Sequence, residues 1–196
     1  HSVKPENSKT EITFSSSGTT GMETSKHHVA SLALYEASFM SAFKQFYGNV
    51  EDYCVLALLP SYLERSGSSL IYMAEKLIKQ SQHADSGFYL NNYDELAEKL
   101  KALNRSGQKI LLLGVSYALL DMAELFPMKL ATTIIMETGG MKGRRKELVR
   151  EELHEILCGA FGVSSIHSEY GMTELLSQAY SLGNGIFECP AWMQIL

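Results

Sequence analysis

Apolar positions recur along this chain in two alternating rhythms. Short continuous apolar runs closed by proline or glycine predict buried strands. Residues 53–59, ended by Pro60, and residues 109–115 are the clearest. Residues 11–15, 87–90, 131–136, 163–167 and 185–189 are shorter strand candidates, the last ahead of Pro190. Between them apolar residues return every three or four positions, which is the spacing of one helix face. Leu32, Tyr35, Phe39, Phe43 and Phe46 predict a helix over residues 24–47. Leu70, Ala74, Leu77 and Ile78 predict the next, with Ser68 as its N-cap. Asn92 and Glu95 have capping-box spacing ahead of Leu96, Leu100 and Leu103. Residues 117–125 form a further helix candidate. Val149, Leu153, Ile156, Leu157 and Ala160 predict a helix over residues 144–161, stopped by Gly162.

Alternation of this kind predicts an α/β fold, a layered and mostly parallel sheet with flanking helices. Ligands of such sheets collect beyond the carboxyl ends of the strands. The segments 15–21, 114–118, 137–143 and 168–174 each follow a strand candidate, so all are expected on one rim. Residues 1–10 read as a flexible N-terminal segment and residues 11–196 as one nucleotide-binding α/β domain. A start at His1 and an apolar stretch over residues 191–196 predict a fragment that continues beyond 196.

Composition narrows the classes. A hydrophobic share of 45% in 196 residues supports a packed core rather than disorder. The net charge of -5 gives no electrostatic basis for binding nucleic acid or an anionic membrane. No apolar run approaches the roughly 18 residues of a spanning helix, and no secretory signal is visible. Cys54, Cys158 and Cys189 are widely spaced and read as reduced thiols, which predicts a cytoplasmic protein.

Two segments carry candidate chemistry. The first is Phe14-Ser15-Ser16-Ser17-Gly18-Thr19-Thr20-Gly21. Its hydroxyls are donors, and Gly18 and Gly21 let backbone amides turn toward an anion. It lacks the Gly-Lys-Ser/Thr ending of a Walker loop. The second is Ser168-Glu169-Tyr170-Gly171-Met172-Thr173-Glu174. Tyr170 offers a face for a base, Thr173 a hydroxyl for a phosphate, and Glu174 a hard oxygen for Mg²⁺. Gly171 permits close approach of the backbone to a ligand. The plainer reading of this segment is a turn in which Thr173 caps, and Glu174 favours, a helix through Leu175 and Leu176.

Together the two segments resemble the adenylate-forming superfamily of acyl-CoA synthetases, with its Ser/Thr-Ser-Gly-Thr-Thr-Gly loop and Tyr-Gly-x-Thr-Glu motif. A third segment, Glu137-Thr138-Gly139-Gly140-Met141-Lys142-Gly143-Arg144, stands where that superfamily has a glycine pair along the adenine. In this form, and with Ser25-Lys26-His27, it resembles the acyl-protein synthetases of bacterial luminescence (the LuxE type), near the phenylacetate–CoA ligases. The resemblance covers residues 12–196 and implies the fold of the superfamily's large N-terminal domain, in part. It implies that Ser16, Ser17, Gly18, Thr19, Thr20 and Gly21 hold the β- and γ-phosphates of ATP. Gly139 and Gly140 would run along the adenine and Tyr170 would stack on it. Thr173 would meet the α-phosphate, and Glu174 would bind Mg²⁺. The implied activity is activation of a carboxylic acid, a fatty acid in this branch, as acyl-AMP. The acyl group would then pass to a thiol of the enzyme, of a partner protein or of CoA. Of the cysteines only Cys189 is a candidate for that thiol. The superfamily's ribose-binding aspartate and its mobile C-terminal lid have no counterpart in these residues.

Other features carry competing readings. Gly114-Val115-Ser116-Tyr117-Ala118 nearly reproduces a nucleophile elbow, with His154 or His167 as the base of a serine hydrolase. Lys142, Arg144, Arg145 and Lys146 cluster at an expected helix start, either as an anion site led by Arg144 or as a solvated face relieved by Glu147, Glu151 and Glu152. Lys26 is a further candidate for reaching a phosphate. A non-catalytic nucleotide-binding or interaction module is the remaining alternative.

Overall fold

A computed structural model describes residues 9–16, 25–60, 67–141 and 143–194. The chain runs β1 (Ile12–Ser15), β2 (Lys26–Val29), α1 (Leu32–Tyr47), a single 3-10 turn (Val50–Asp52), β3 (Tyr53–Leu58), α2 (Ser69–Ser81) and β4 (Gly87–Tyr89). It continues through α3 (Tyr93–Ser106), β5 (Lys109–Val115), α4 (Ser116–Leu125), β6 (Thr133–Thr138), α5 (Arg150–Phe161), β7 (His167–Tyr170) and β8 (Ala179–Ser181). Six strands form one sheet in the order β4-β3-β5-β6-β7-β8. The pairings from β4 to β7 are parallel, and β8 joins antiparallel. This is the layered, mostly parallel α/β architecture that the alternation predicts.

The central strands are apolar because helices cover both faces. Every residue of β3 is buried, as is β5 from Ile110 to Val115. On one face α1 packs on α2, and its Tyr47 reaches His167 of β7. On the other, α4 packs on α5 while Tyr93 of α3 donates to Asp121 of α4. Ser31 and Ser68 cap α1 and α2 by accepting from Leu34 and Ile71. No helix among the described residues is long and apolar enough to cross a membrane.

Several boundaries differ from expectation. Residues 26–29 are a strand, not the start of a helix: Lys26–Val29 pairs antiparallel with Ile12–Ser15, and only Val29 of the four is buried. The helix begins at Leu32, after its Ser31 cap. Helix α5 starts at Arg150 rather than residue 144, with Val149 outside it and 66% exposed. Two features hold residues 143–149 out of the helix. Gly143 sits at φ 69°, and Arg145 is pulled toward α4, with Nε 2.8 Å from Asp121 Oδ1 and Nη1 2.6 Å from Glu124 Oε1. Strand β6 lies two residues later than residues 131–136, and β7 begins at His167, where the candidate strand 163–167 was to end. Residues 185–189 contribute only a bridge, Tyr180 to Glu188, while β8 has no counterpart in the sequence reading. Asn92 forms no capping box. Its Oδ1 accepts from Leu90 N and its Nδ2 donates to Glu95. Residues 1–8 of the expected flexible segment lie outside the described residues.

The β1–β2 hairpin is a separate two-stranded sheet, so side chains and loop bonds hold it to the body. Phe14 is buried with its ring edge-on to Tyr35 and Tyr72, at centroid distances of 5.5 and 5.7 Å. Ser15 N donates to Gly67 O at 2.8 Å, and Leu32 N donates to Glu11 Oε2 at 2.7 Å. Phe14→Ala is expected to cost about 3 kcal/mol. By hydrogen exchange the loss of protection should concentrate in residues 12–29 while β3, β5 and β6 stay protected.

Candidate functional site

Strand register builds the site. Val115 pairs with Thr138, and Glu137 pairs with Ser168, so β5, β6 and β7 end side by side. Three chain segments leave the sheet there: Ser116 into α4, Gly139–Gly140 after β6, and Gly171–Glu174 after β7. Parallel strands ending together are where ligands of such sheets sit.

Gly139 is exposed and adopts φ 74°, a left-handed conformation that disfavours other residues. Gly140 has no such need, since a Cβ built on it would meet nothing within 4 Å among the described residues. Its open face is free for a flat ligand. Arg144 N donates to Met141 O at 2.9 Å and closes the turn over the buried Met141. Tyr170 ends β7 with its ring 42% exposed and edge-on to Phe187. Leu175 N donates to Met172 O at 3.0 Å, which makes residues 172–175 a turn. No helix follows, so the capping reading of Thr173 and Glu174 is not realised. Glu174 is exposed and takes no hydrogen bond or ion pair among the described residues. An unengaged carboxylate fits a hard cation such as Mg²⁺. Among the described residues no three His, Cys, Asp or Glu side chains converge on a metal position. Glu174 could give such an ion an oxygen, with phosphates and water as further ligands.

Of the first segment, Ser16 is described and residues Ser17, Gly18, Thr19, Thr20 and Gly21 lie outside the described residues. Ser16 N donates to Ser25 O and Ser25 N donates to Ser16 Oγ, both at 2.9 Å. These bonds close the base of the loop and leave the Ser16 hydroxyl hydrogen to donate elsewhere. Tyr35 joins this hairpin to the rim. Its ring meets Phe14, and its hydroxyl accepts from Gln178 Nε2 at 3.3 Å.

Two buried carboxyls flank the rim on opposite faces. Glu137 faces α4 and α5. Ser116 Oγ donates to its Oε2 at 3.1 Å, Arg150 Nε lies 3.5 Å from Oε1, and His154 Nε2 lies 3.7 Å away, beyond a hydrogen bond. Burial alone would raise its pKa, but the facing His154, Ser168, Arg150 and Ser116 groups outweigh that and hold it below the usual carboxylate value. Glu169 faces α1. Burial pushes its pKa up to about 7, opposed by the Thr138 hydroxyl and reinforced by the charge of Glu137.

Ser116 does not have the surroundings of a nucleophile. It is 2% exposed, and its hydroxyl is bound to Glu137. The carboxylate stands between serine and His154, whereas a triad needs the imidazole in the middle. His167 lies on the other face against Tyr47. The basic cluster is not at a helix start. Arg145 is engaged with Asp121 and Glu124 rather than Glu147, Glu151 or Glu152. Arg144 lies over the Tyr117 ring at 5.2 Å, and Lys142 lies outside the described residues. Lys26 is exposed on β2. Burial raises the Cys54 thiol to about 11, and Cys189 is half-buried just past the Tyr180–Glu188 bridge.

Glu137, Glu169 and Gln178 had no assigned role in the sequence reading. The available signal was a carboxylate at inward-facing positions of strands. Comparison with protein-family models, with curated proteins and with solved structures finds no match to this chain. Fold and site therefore define it from its own residues: an α/β domain with a glycine-, tyrosine- and carboxylate-bearing rim.

The glycine pair separates conformation from ligand space. Gly139→Ala should destabilise by about 1 kcal/mol, whereas Gly140→Ala should stay within about 0.5 kcal/mol of the parent in urea unfolding.

Proposed function

We propose that this chain is the nucleotide-gripping part of an adenylate-forming ligase. It would activate a carboxylic acid, a fatty acid in the acyl-protein synthetase type, with ATP and Mg²⁺. The product would be acyl-AMP, whose acyl group passes to a protein thiol or, as in phenylacetate–CoA ligases, to CoA. A cytoplasmic location and the absence of nucleic-acid or membrane partners belong to the same reading.

One observation carries it. The Glu137–Ser168 register ends β6 and β7 side by side, so the glycine pair and Tyr170 leave the sheet at the same edge, with an unengaged Glu174 a few residues on. Glycine backbone against one face of a purine and an exposed ring against the other make a slot for adenine. Ser16 and Thr173 add hydroxyl donors, and the β1–β2 strands that carry Ser16 are joined to the rim through Tyr35, which meets Phe14 and Gln178.

Each group has a task. Attack of a carboxylate on the α-phosphorus brings two anions together, so donors aimed at the phosphates lower the barrier. Thr173 would hold the α-phosphate, and Ser16 to Gly21 the departing pyrophosphate. Mg²⁺ on Glu174 would supply charge neutralisation of the leaving group. The adenylate is a mixed anhydride, so the slot must also exclude water.

The test is exchange of labelled pyrophosphate into ATP that depends on an added carboxylic acid. Exchange by the full-length protein, lost by at least about 100-fold in Glu174→Ala, is expected. ATP binding without exchange across aliphatic and aromatic acids would favour a non-catalytic module, and absence of ATP binding would sink both. Gly140→Ala, stable by the argument above, should weaken ATP binding about 10-fold or more because a methyl enters the adenine slot.

A further inference from the structure

Glu169 is a carboxyl sealed under the rim without a facing cation among the described residues. Its Oε2 accepts from Thr138 Oγ1 at 2.6 Å. Its Oε1 lies 2.6 Å from where a Cβ on Gly171 would be, so the carboxyl occupies the space directly beneath that residue. The same built Cβ lies 3.6 Å from Gln178 Nε2. Tyr180 pairs with Glu169 across β7 and β8, and Tyr35 and Tyr47 face it from α1. From β6 come Thr138 and, on the far face, the charged Glu137. His167 precedes it by two residues on β7, and burial lowers that imidazole's pKa, which keeps it neutral near pH 7.

The cluster is imperfectly paired. Tyr35 spends its one hydroxyl hydrogen on Ser69 O at 3.2 Å and therefore accepts from Gln178 Nε2. This fixes the Gln178 amide and leaves its buried Oε1 without a partner among the described residues, where the buried Tyr180 hydroxyl also has none. A buried acceptor left unmet costs free energy. A protonated Glu169 is a neutral group that suits this apolar, aromatic surround. A charged one adds a second anion near Glu137, held among the described residues by the Thr138 hydroxyl alone and set in a wall of aromatic rings.

We propose that Glu169 is a positioning residue whose proton seats the Tyr170–Glu174 segment. With the proton on, the carboxyl stays beneath Gly171, bonded to Thr138, and β7 ends with Tyr170 held at the rim. With the proton released to solvent, the carboxylate moves toward water. Its Oε1 fills the space on the Cβ side of Gly171, so its departure removes the group that Gly171 rests on. Burial places the exchange at about pH 7. The folded-state pKa is raised, so the seated form dominates below that pH and is lost as pH rises through it. If the adenylate-forming reading holds, and only this consequence rests on it, the seated form grips ATP more tightly.

The chain carries its own reporter. Trp192 is its single tryptophan, and its Nε1 hydrogen is shared between Ser38 Oγ at 3.0 Å and Ser177 Oγ at 3.1 Å, the latter next to Gln178. Intrinsic fluorescence of the full chain, followed from about pH 5 to about pH 9, should show one transition centred near 7. Glu169→Gln, which cannot ionise, should abolish it. Thr138→Val, which removes the bond favouring the carboxylate, should move the midpoint up by about half a unit or more. A flat wild-type curve, a transition that survives in Glu169→Gln, or an unmoved midpoint in Thr138→Val would each overturn the proposal. The Thr138→Val arm decides it even if Glu169→Gln does not fold. Equilibrium ATP binding supplies the separate arm. Wild-type affinity should fall across the same pH range by about 3-fold or more relative to Glu169→Gln. A fluorescence transition that behaves as expected in a chain that binds no ATP at any pH would support the proton-set seating and sink the nucleotide reading.

Discussion

Backbone pairing of β5, β6 and β7 is the constraint on which the rest depends. Parallel strands offer no tight turn back, so each must be followed by a crossover, and successive strands end at the same side. The register Val115–Thr138 and Glu137–Ser168 then brings residues from three distant parts of the chain to one edge. A slip of one residue between β5 and β6, carried on to β7, would turn Glu137 toward α1 and Glu169 toward α5, and one between β6 and β7 alone would put both on the same face. Burial of β3 and β5 on both faces is what makes such a slip costly, because apolar strands packed by helices on both sides set where the neighbours pair.

The two carboxyls show how one sheet sorts charge. They sit on adjacent strands, and side chains on neighbouring residues of a strand alternate between faces. Glu137 meets Arg150, His154 and a serine hydroxyl on the polar flank of α4 and α5. Glu169 meets tyrosine rings from α1 and β8. Environment alone thus drives two chemically identical groups to opposite protonation preferences a strand apart.

Much of the fold was legible because its signals are local. The runs at β3 and β5, the serine caps of α1 and α2 and the glycine after α5 each state their element in a few residues. What was not legible depends on distant partners. Lys26–Val29 reads as the leading turn of a helix until β1 is present to pair with it. The start of α5 depends on Arg145 meeting acids on α4, which no window around residue 145 contains. At the rim, glycine, tyrosine and glutamate could be named from spacing. The role of Gln178 could not, since it follows from a tyrosine on α1 that has already committed its hydrogen.

The edges of the sheet carry a consequence of another kind. Its long apolar strands are all internal, while β4 and β8, at the two margins, are three residues each. The outer side of β8 is further engaged by Glu188, which exchanges both backbone hydrogen bonds with Tyr180. A strand that short gives a second chain little ladder to extend. The arrangement keeps the most aggregation-prone segments, residues 53–58 and 109–115, away from any free margin in the folded state. Solubility on refolding would then turn on how early β4 and β8 dock, and not on the stability of the centre they enclose.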